Sequence, residues 1–373
     1  MLFRLGAGLT IAGVLVIAGA TGAAEQSQIP GNSPYHSSSR LAQREQSEEL
    51  FRQGVVAYSS AKYDEAETLF RQVIHLDPDN SGAHSNLGLA LHAQGRLNEA
   101  ITSYRRAINL NPGNAIAHSN LGVTLREQGN LSDAIASLNR AIEIAPDHAD
   151  AHHNLGMALY YQGELDEAIA SYRRAIDLAP DNANSHNGLG KVFQVQGNLD
   201  AAIVSYRRAI ELNPNNALPH LNLGVSLHSQ RDLDGAITSY RRSLQLDSDN
   251  AAAHYNLGLA LFAKGQVDEA ISSYQRTVQL DPGYVRVYRS LGNALAMNGQ
   301  WNRAIDSYNR AIELNPNDAS IYNNRGRVLA IQGQLEAAIA DYNRAIELNP
   351  NLEAARANLR EATRQTEGRQ SSR

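Results

Sequence analysis

The chain contains no cysteine, one tryptophan and three methionines in 373 residues. Without thiols there is no disulfide, no thiolate nucleophile and no cysteine-ligated zinc site. Blocks of one charge sign are also missing. The 33 basic and 38 acidic residues leave a net charge of −5 spread along the whole length. No basic tract invites nucleic acid, and no acidic run forms a cation sink. Catalytic signatures are lacking as well: the sequence has no GxSxG, HExxH or GxxxxGK[ST], and Gly188-Leu189-Gly190 falls inside a helical repeat. These absences predict a chain without catalytic residues, cofactor or metal.

Long apolar runs are confined to the N-terminus. Arg4 precedes an uncharged stretch, Leu5–Ala24, that closes in small residues, with Gly22 and Ala24 placed for cleavage before Glu25. A positive n-region, an apolar h-region and small residues at −3 and −1 form a secretory signal. The expectation is an exported protein, periplasmic or extracellular, starting near Glu25. The other reading is an uncleaved anchor facing the same compartment, so any membrane contact would be through residues 1–24 alone. Residues 25–46, rich in Ser, Gln and Pro, are expected to be a flexible linker.

From Ser47 onward a period of 34 residues takes over, with units 47–80, 81–114, 115–148, 149–182, 183–216, 217–250, 251–284, 285–318 and 319–352. Position 8 is glycine and position 20 alanine in all nine units, and position 32 is proline in all but one, where Ser248 stands. Position 24 is Tyr or Phe except at Leu138, and position 15 is glycine except at Ala61 and Arg231. Such self-similarity is the mark of a stacked repeat architecture. Glycine at 15 divides each unit into two amphipathic helices, with apolar stripes at 4, 7, 8, 11 and at 17, 20, 21, 24, 27, 28. Position 18 is expected to cap the second helix, position 34 to open the next first helix, and proline at 32 to close the unit. After Pro350, residues 353–364 read as an amphipathic capping helix and 365–373 as a disordered tail.

This pattern resembles the tetratricopeptide repeat family. The residues that carry the resemblance are Leu at 7, Gly at 8, Ala at 20, the aromatic at 24, Ala at 27 and Pro at 32. The resemblance implies an all-α fold: a right-handed superhelical α-solenoid of nine repeats plus a C-terminal capping helix, with a concave groove for polypeptide. Sequence alone reaches helix pairs and their stacking.

Two periodic residues raise the question of use. Histidine occupies position 4 in six consecutive units (His84, His118, His152, His186, His220, His254). Helical phase puts it on the packed stripe, so these histidines are expected to fill the inter-helix core. Position 6 lies on the other face, together with 2, 9 and 13. It carries Asn86, Asn120, Asn154, Asn222, Asn256 and Asn324, with Met157, Tyr160, Tyr161 and Phe262 alongside. Apolar side chains where packing needs none, beside amides that both donate and accept, suit an extended peptide backbone. The NLG signature there resembles the superhelical repeats of the O-linked N-acetylglucosamine transferases, whose inner-face asparagines hold polypeptide, without their sugar-transfer domain. A second cluster, Arg286, Arg289 and Asn293, is similar to the residues by which chaperone-binding family members grip a C-terminal carboxylate. The paired arginines, such as Arg207 facing Glu211, read as helix-surface ion pairs.

The reading is a non-enzymatic scaffold or assembly factor whose partners are protein or peptide segments, not nucleic acid. The alternative is an accessory that presents substrate to an envelope or glycosyl-transfer enzyme in trans.

Overall fold

The structure is a computed structural model that describes residues 34–371. The expected signal, residues 1–24, and the first part of the linker lie outside the described residues. Among the described residues there are nineteen helices and no strand. None of these helices is long and apolar enough to cross a membrane. The chain divides after Val192 into two compact bodies.

The N-terminal body holds α1 (Pro34–Ser59), α2 (Tyr63–Leu76), α3 (Ser81–Ala93), α4 (Leu97–Leu110), α5 (Ala115–Glu127), α6 (Leu131–Ile144), α7 (Ala149–Gln162), α8 (Leu165–Leu178) and most of α9 (Ala183–Val195). The C-terminal body holds α10 (Leu199–Leu212), α11 (Ala217–Ser229), α12 (Leu233–Leu246), α13 (Ala251–Ala263), α14 (Val267–Leu280), α15 (Val285–Met297), α16 (Trp301–Leu314), α17 (Ala319–Ile331), α18 (Leu335–Leu348) and α19 (Glu353–Ser371). Within each body a helix packs on its sequence neighbours and on little else. Local contact of this kind makes stability a sum of repeat and nearest-neighbour contributions.

The helix ends follow from side-chain chemistry. First helices start under Asn at position 34: the Asn80 Oδ1 accepts from the Ala83 amide at 2.9 Å, and Asn114 and Asn250 do the same for Ala117 and Ala253. They stop at position 15 in left-handed backbone, with φ +76° at Gly95 and +92° at Gly163. Glycine meets that conformation without a Cβ penalty. Among the described residues two adopt it without being glycine, Ala61 at φ +57° and Arg231 at φ +65°.

Second helices begin two residues earlier than expected. The N-cap is position 16, where the side chains of Asn130, Asn198 and Asp232 accept from the amides three residues on. Position 18 therefore sits in the first turn, where acids such as Asp64, Asp166 and Asp268 oppose the positive end of the helix dipole.

Position 8 meets position 24 within eight of the nine repeats. A Cβ on Gly88 would lie 2.6 Å from the Tyr104 ring, and one on Gly258 would lie 2.5 Å from the Tyr274 ring. Those rings are fully enclosed, as are the alanines of position 20, and together they form the centre of each body's core. The glycine is there because the ring occupies the space of its side chain.

Both expected irregular segments are corrected where they are described. The linker was expected to extend to residue 46, but α1 already runs from Pro34. Pro suits a helix's first position, and Ala42, Gln43, Arg44 and Glu45 are good helix formers. Arg44 adds a hydrogen bond to Glu48 at 3.1 Å. The extension carries no apolar stripe, and Leu41 is 61% exposed, so periodicity had nothing to detect. Likewise the tail expected from residue 365 continues α19 to Ser371, with the Thr366 hydroxyl donating to the Ala362 carbonyl.

Candidate functional site

The histidines of position 4 have a structural task, different from the one expected. Each sets Nε2 against the main-chain carbonyl six residues back: His84 to Pro78 (3.0 Å), His118 to Pro112 (3.2 Å), His152 to Pro146 (3.0 Å), His186 to Pro180 (3.0 Å), His220 to Pro214 (3.3 Å) and His254 to Ser248 (3.1 Å). A carbonyl only accepts, so Nε2 carries the proton. In the eighth and ninth repeats the Tyr288 and Tyr322 hydroxyls donate to Pro282 and Pro316 in the same way. Position 4 is thus a clamp across the turn that links repeats. His84, His118, His186 and His254 are only half-buried, because reaching the turn draws the ring out of the core; His152 and His220 are buried. Burial lowers the pKa of His118, His220 and His254, aided by a neighbouring arginine and opposed by the carbonyl bond.

The asparagines of position 6 are not equally available. Asn154, Asn222, Asn256 and Asn324 are half-buried, whereas Asn86 is 0% and Asn120 9% exposed. The expectation of an open ladder fails for those two rungs. Helical phase alone leaves position 6 free, but an adjacent repeat closes over it. At position 6 of the fifth repeat, a Cβ on Gly188 would lie 2.5 Å from the Tyr172 ring of the fourth. Asn324 shows the same neighbourhood in the C-terminal body: its Nδ2 donates to Asn293, position 9 of the preceding repeat, at 2.9 Å.

Of the apolar neighbours, Met157, Tyr160 and Phe262 are half-buried and Tyr161 is 48% exposed. Tyr160 and Tyr161 meet edge to face at 5.4 Å, and the Lys191 ammonium lies 5.0 Å and 6.0 Å from their ring centres. Tyr160, Tyr161 and Lys191 come from two consecutive repeats of the N-terminal body, whereas Phe262 belongs to the C-terminal body.

The Arg286, Arg289 and Asn293 cluster does not converge on an open site. Arg289 is tied to Asp318 at 3.0 Å, and Asn293 Oδ1 accepts from both Tyr308 (2.8 Å) and Asn324. Arg286 stands exposed on the first turn of α15. Nearby Arg325 grips Asp341 through both oxygens, at 2.8 and 2.6 Å. Charge at this end is therefore largely neutralised within the fold. Among the paired arginines, Arg208 rather than Arg207 makes the expected helix-surface pair with Glu211, at 3.0 Å, whereas Arg106 and Arg241 reach Asp79 and Glu269 of adjacent repeats, at 3.1 and 2.6 Å.

Sequence reasoning missed a polar cluster on the N-terminal body. His92 Nε2 bonds the Glu127 carboxylate at 2.8 Å. Burial works to raise the Glu127 carboxyl, but the His92 bond and the charges of His92 and Arg126 outweigh it and hold the group below its usual range. The His153 ring shares a hydrogen bond with Ser185 at 3.0 Å and meets Tyr172 edge-on at 5.5 Å. Enclosure lowers His153 to about 4, against Asp150, which raises it, and with Arg126, which lowers it further. These residues break the repeat pattern, since positions 5 and 12 vary from unit to unit. Variation on an otherwise duplicated face was the available signal.

A family profile described as "TPR repeat" matches residues 54–95, 88–129, 124–160, 156–197 and 193–231, and one described as "Tetratricopeptide repeat" matches 221–285 and 289–353. The chain belongs to the tetratricopeptide repeat family. Solved structures with a similar fold include the anaphase-promoting complex hetero-tetramer Cut9-Hcn1, at 17% identity, TM-score 0.53, covering 85% of this chain and 76% of that one. PilF of Pseudomonas aeruginosa is similar at 20% identity, TM-score 0.52, covering 57% of this chain and 97% of that one. YrrB, described as a TPR protein with an unusual peptide-binding site, matches at 24% identity, TM-score 0.43, over 48% of this chain and 92% of its own. A search of curated protein sequences finds no match.

Proposed function

We propose that this tetratricopeptide repeat protein is a non-catalytic scaffold that holds extended polypeptide segments along its asparagine face, in the service of assembling other proteins. The observation that carries the reading is the recurrence, in each body separately, of half-buried asparagines on first helices that also carry apolar side chains: Asn154 with Met157, Tyr160 and Tyr161 in the N-terminal one, and Asn222 and Asn256, the latter with Phe262, in the C-terminal one. An amide can donate to one backbone carbonyl and accept from one backbone N–H, and each such bond is worth about 0.5–1.5 kcal/mol net. Several of them would give affinity with little demand on the partner's sequence. Export supports the same reading: a signal-like residue pattern at 1–24 would deliver the scaffold to a compartment where unassembled polypeptides arrive extended.

The test is a crosslinking pull-down from the native compartment with the parent protein and an Asn154→Ala, Asn222→Ala, Asn256→Ala variant. Partner capture should fall at least about tenfold while helicity and melting stay close to the parent's. Unchanged capture by the triple variant would place the binding surface elsewhere. Intact-mass measurement on the native protein addresses export, with a mature start near Glu25 expected and a full-length mass in the membrane fraction opposing it.

A further inference from the structure

The large apolar side chains left exposed in the C-terminal body are not scattered. Among the described residues, Val195, Leu218, Met297 and Ile331 fall on first helices, at positions 13, 2, 13 and 13, whereas Val204 lies on a second helix. Met297 is 66% and Ile331 61% exposed, in consecutive repeats. Positions 2, 6, 9 and 13 lie within about 60° of one another around a helix, so these side chains share the asparagine face. Leu259, at position 9, continues the stripe half-buried. Single exposed apolar residues are ordinary, but several gathered on one face mark an interaction surface.

Charge on the same face has one sign. The first helices of repeats six to nine, α11, α13, α15 and α17, carry no Asp or Glu. The acids of these repeats sit on the second helices or in the turns, although the chain as a whole is acidic, at −5. Two of the first-helix arginines are neutralised, Arg289 by Asp318 at 3.0 Å and Arg325 by Asp341 at 2.6 Å. Arg286 and Arg327, at positions 2 and 9, are exposed and have no acidic partner among the described residues. They are open to a ligand, unlike Arg126 of the N-terminal body, whose side chain is 8% exposed and enclosed by the fold.

We propose that the first-helix face of repeats six to nine takes an extended polypeptide segment that is both apolar and acidic. Leu218, Met297 and Ile331 receive its apolar side chains, and Arg286 and Arg327 receive its Asp or Glu side chains. This inference rests on the polypeptide-binding reading above and adds the chemistry of the partner. The same position of neighbouring repeats recurs at about 10 Å, the length of about three residues of extended chain. Apolar residues three apart in the partner therefore reach Met297 and Ile331 together. An anionic bilayer would also suit an apolar, basic face, but the relief favours a polypeptide. The position-6 amides of Asn222, Asn256 and Asn324 are half-buried beside the exposed side chains, where an extended main chain can enter and a flat surface cannot.

The experiment uses the full mature chain and short peptides, capped at both ends, in which two Leu three residues apart are flanked by Glu. One twin has Gln for Glu, and another has Ser for Leu. Fluorescence anisotropy should show the Leu/Glu peptide bound at least about tenfold more tightly than either twin, with salt shrinking the Glu preference and sparing the Leu preference. Arg286→Gln with Arg327→Gln should erase the Glu preference and leave the Gln twin's affinity unchanged. Met297→Ser with Ile331→Ser should weaken the Leu/Glu peptide about tenfold and leave the Ser twin unchanged. These side chains are exposed, so circular dichroism should match the parent; if a variant fails to fold, the twins on the parent protein still decide. Equal binding of all three peptides refutes the inference and leaves the scaffold reading standing. A Glu preference that survives both arginine changes refutes the assignment to Arg286 and Arg327. Tighter binding of a Gln peptide with a free C-terminus than of the capped Glu peptide overturns the side-chain assignment. Binding to phosphatidylglycerol vesicles with no peptide bound assigns the face to a membrane and overturns the inference. Failure of every peptide to bind also overturns it, and the pull-down with the asparagine variant then decides the scaffold reading separately.

Discussion

Replacing Gly88 by alanine sets two effects of opposite sign against each other. In a helix interior, alanine is favoured over glycine by about 1 kcal/mol. The new Cβ would lie 2.6, 2.7 and 2.9 Å from three atoms of the Tyr104 ring. Ordinary carbon contacts are about 3.5–4.0 Å, so the ring would have to withdraw by roughly an ångström. Tyr104 is 1% exposed and packed between consecutive repeats, which leaves it little room to move. Overpacking of this kind costs about 1–3 kcal/mol, so Gly88→Ala should destabilise by up to about 2 kcal/mol despite the better helix former. Amide exchange across 81–114 and urea unfolding of the whole chain would measure it locally and globally. Gly368→Ala is the control: nothing lies within 4 Å of its Cβ position, so it should not destabilise. A Gly88→Ala, Tyr104→Ala double variant should lose less than the sum of the single changes, because the added methyl enters space the ring has vacated. If Gly88→Ala is as stable as the parent, the close-approach explanation of position 8 is wrong.

Three further outcomes are expected. Arg231 and Ala61 hold left-handed backbone that costs a non-glycine residue about 1–2 kcal/mol, so Arg231→Gly and Ala61→Gly should slow amide exchange in their own repeats; before the change, exchange across 217–250 should outpace that across 149–182. His153 titrates at about 4 in the fold, below an unfolded value near 6.5, so its contribution is complete above pH 6.5 and is lost as pH falls toward 4. That loss amounts to about 3 kcal/mol at most, and a His153→Gln variant whose urea midpoint falls as steeply over this range would disprove the link. At position 4, His118→Tyr should be close to neutral because Tyr288 and Tyr322 already make the same carbonyl bond, whereas His118→Phe should lose about 1 kcal/mol by denaturant unfolding.

Much of the fold is legible in the sequence because it is local. The Asn at position 34 caps its own helix, the glycine at 15 ends it, and position 8 meets position 24 within one repeat, so a 34-residue window contains cause and effect. The helical extensions at 34–46 and 365–371 were illegible for the opposite reason: without an apolar stripe they leave no period to read. Helical phase placed the asparagines on the face their own repeat leaves free, and that much follows from 100° per residue. Whether a rung is then open depends on the neighbouring repeat, which encloses Asn86 and Asn120 and leaves Asn154 and Asn256 half-buried. The imidazoles of position 4 could be placed on a stripe, but only the turn's geometry brings the carbonyl six residues back within 3.0–3.3 Å of Nε2. Arg126 is one more arginine in the sequence. Its enclosure, the engagement of Glu127 by His92 and the placement of Lys191 over Tyr160 arise between repeats, because burial and charge compensation are decided by whatever packs across a helix face and not by the residues along it.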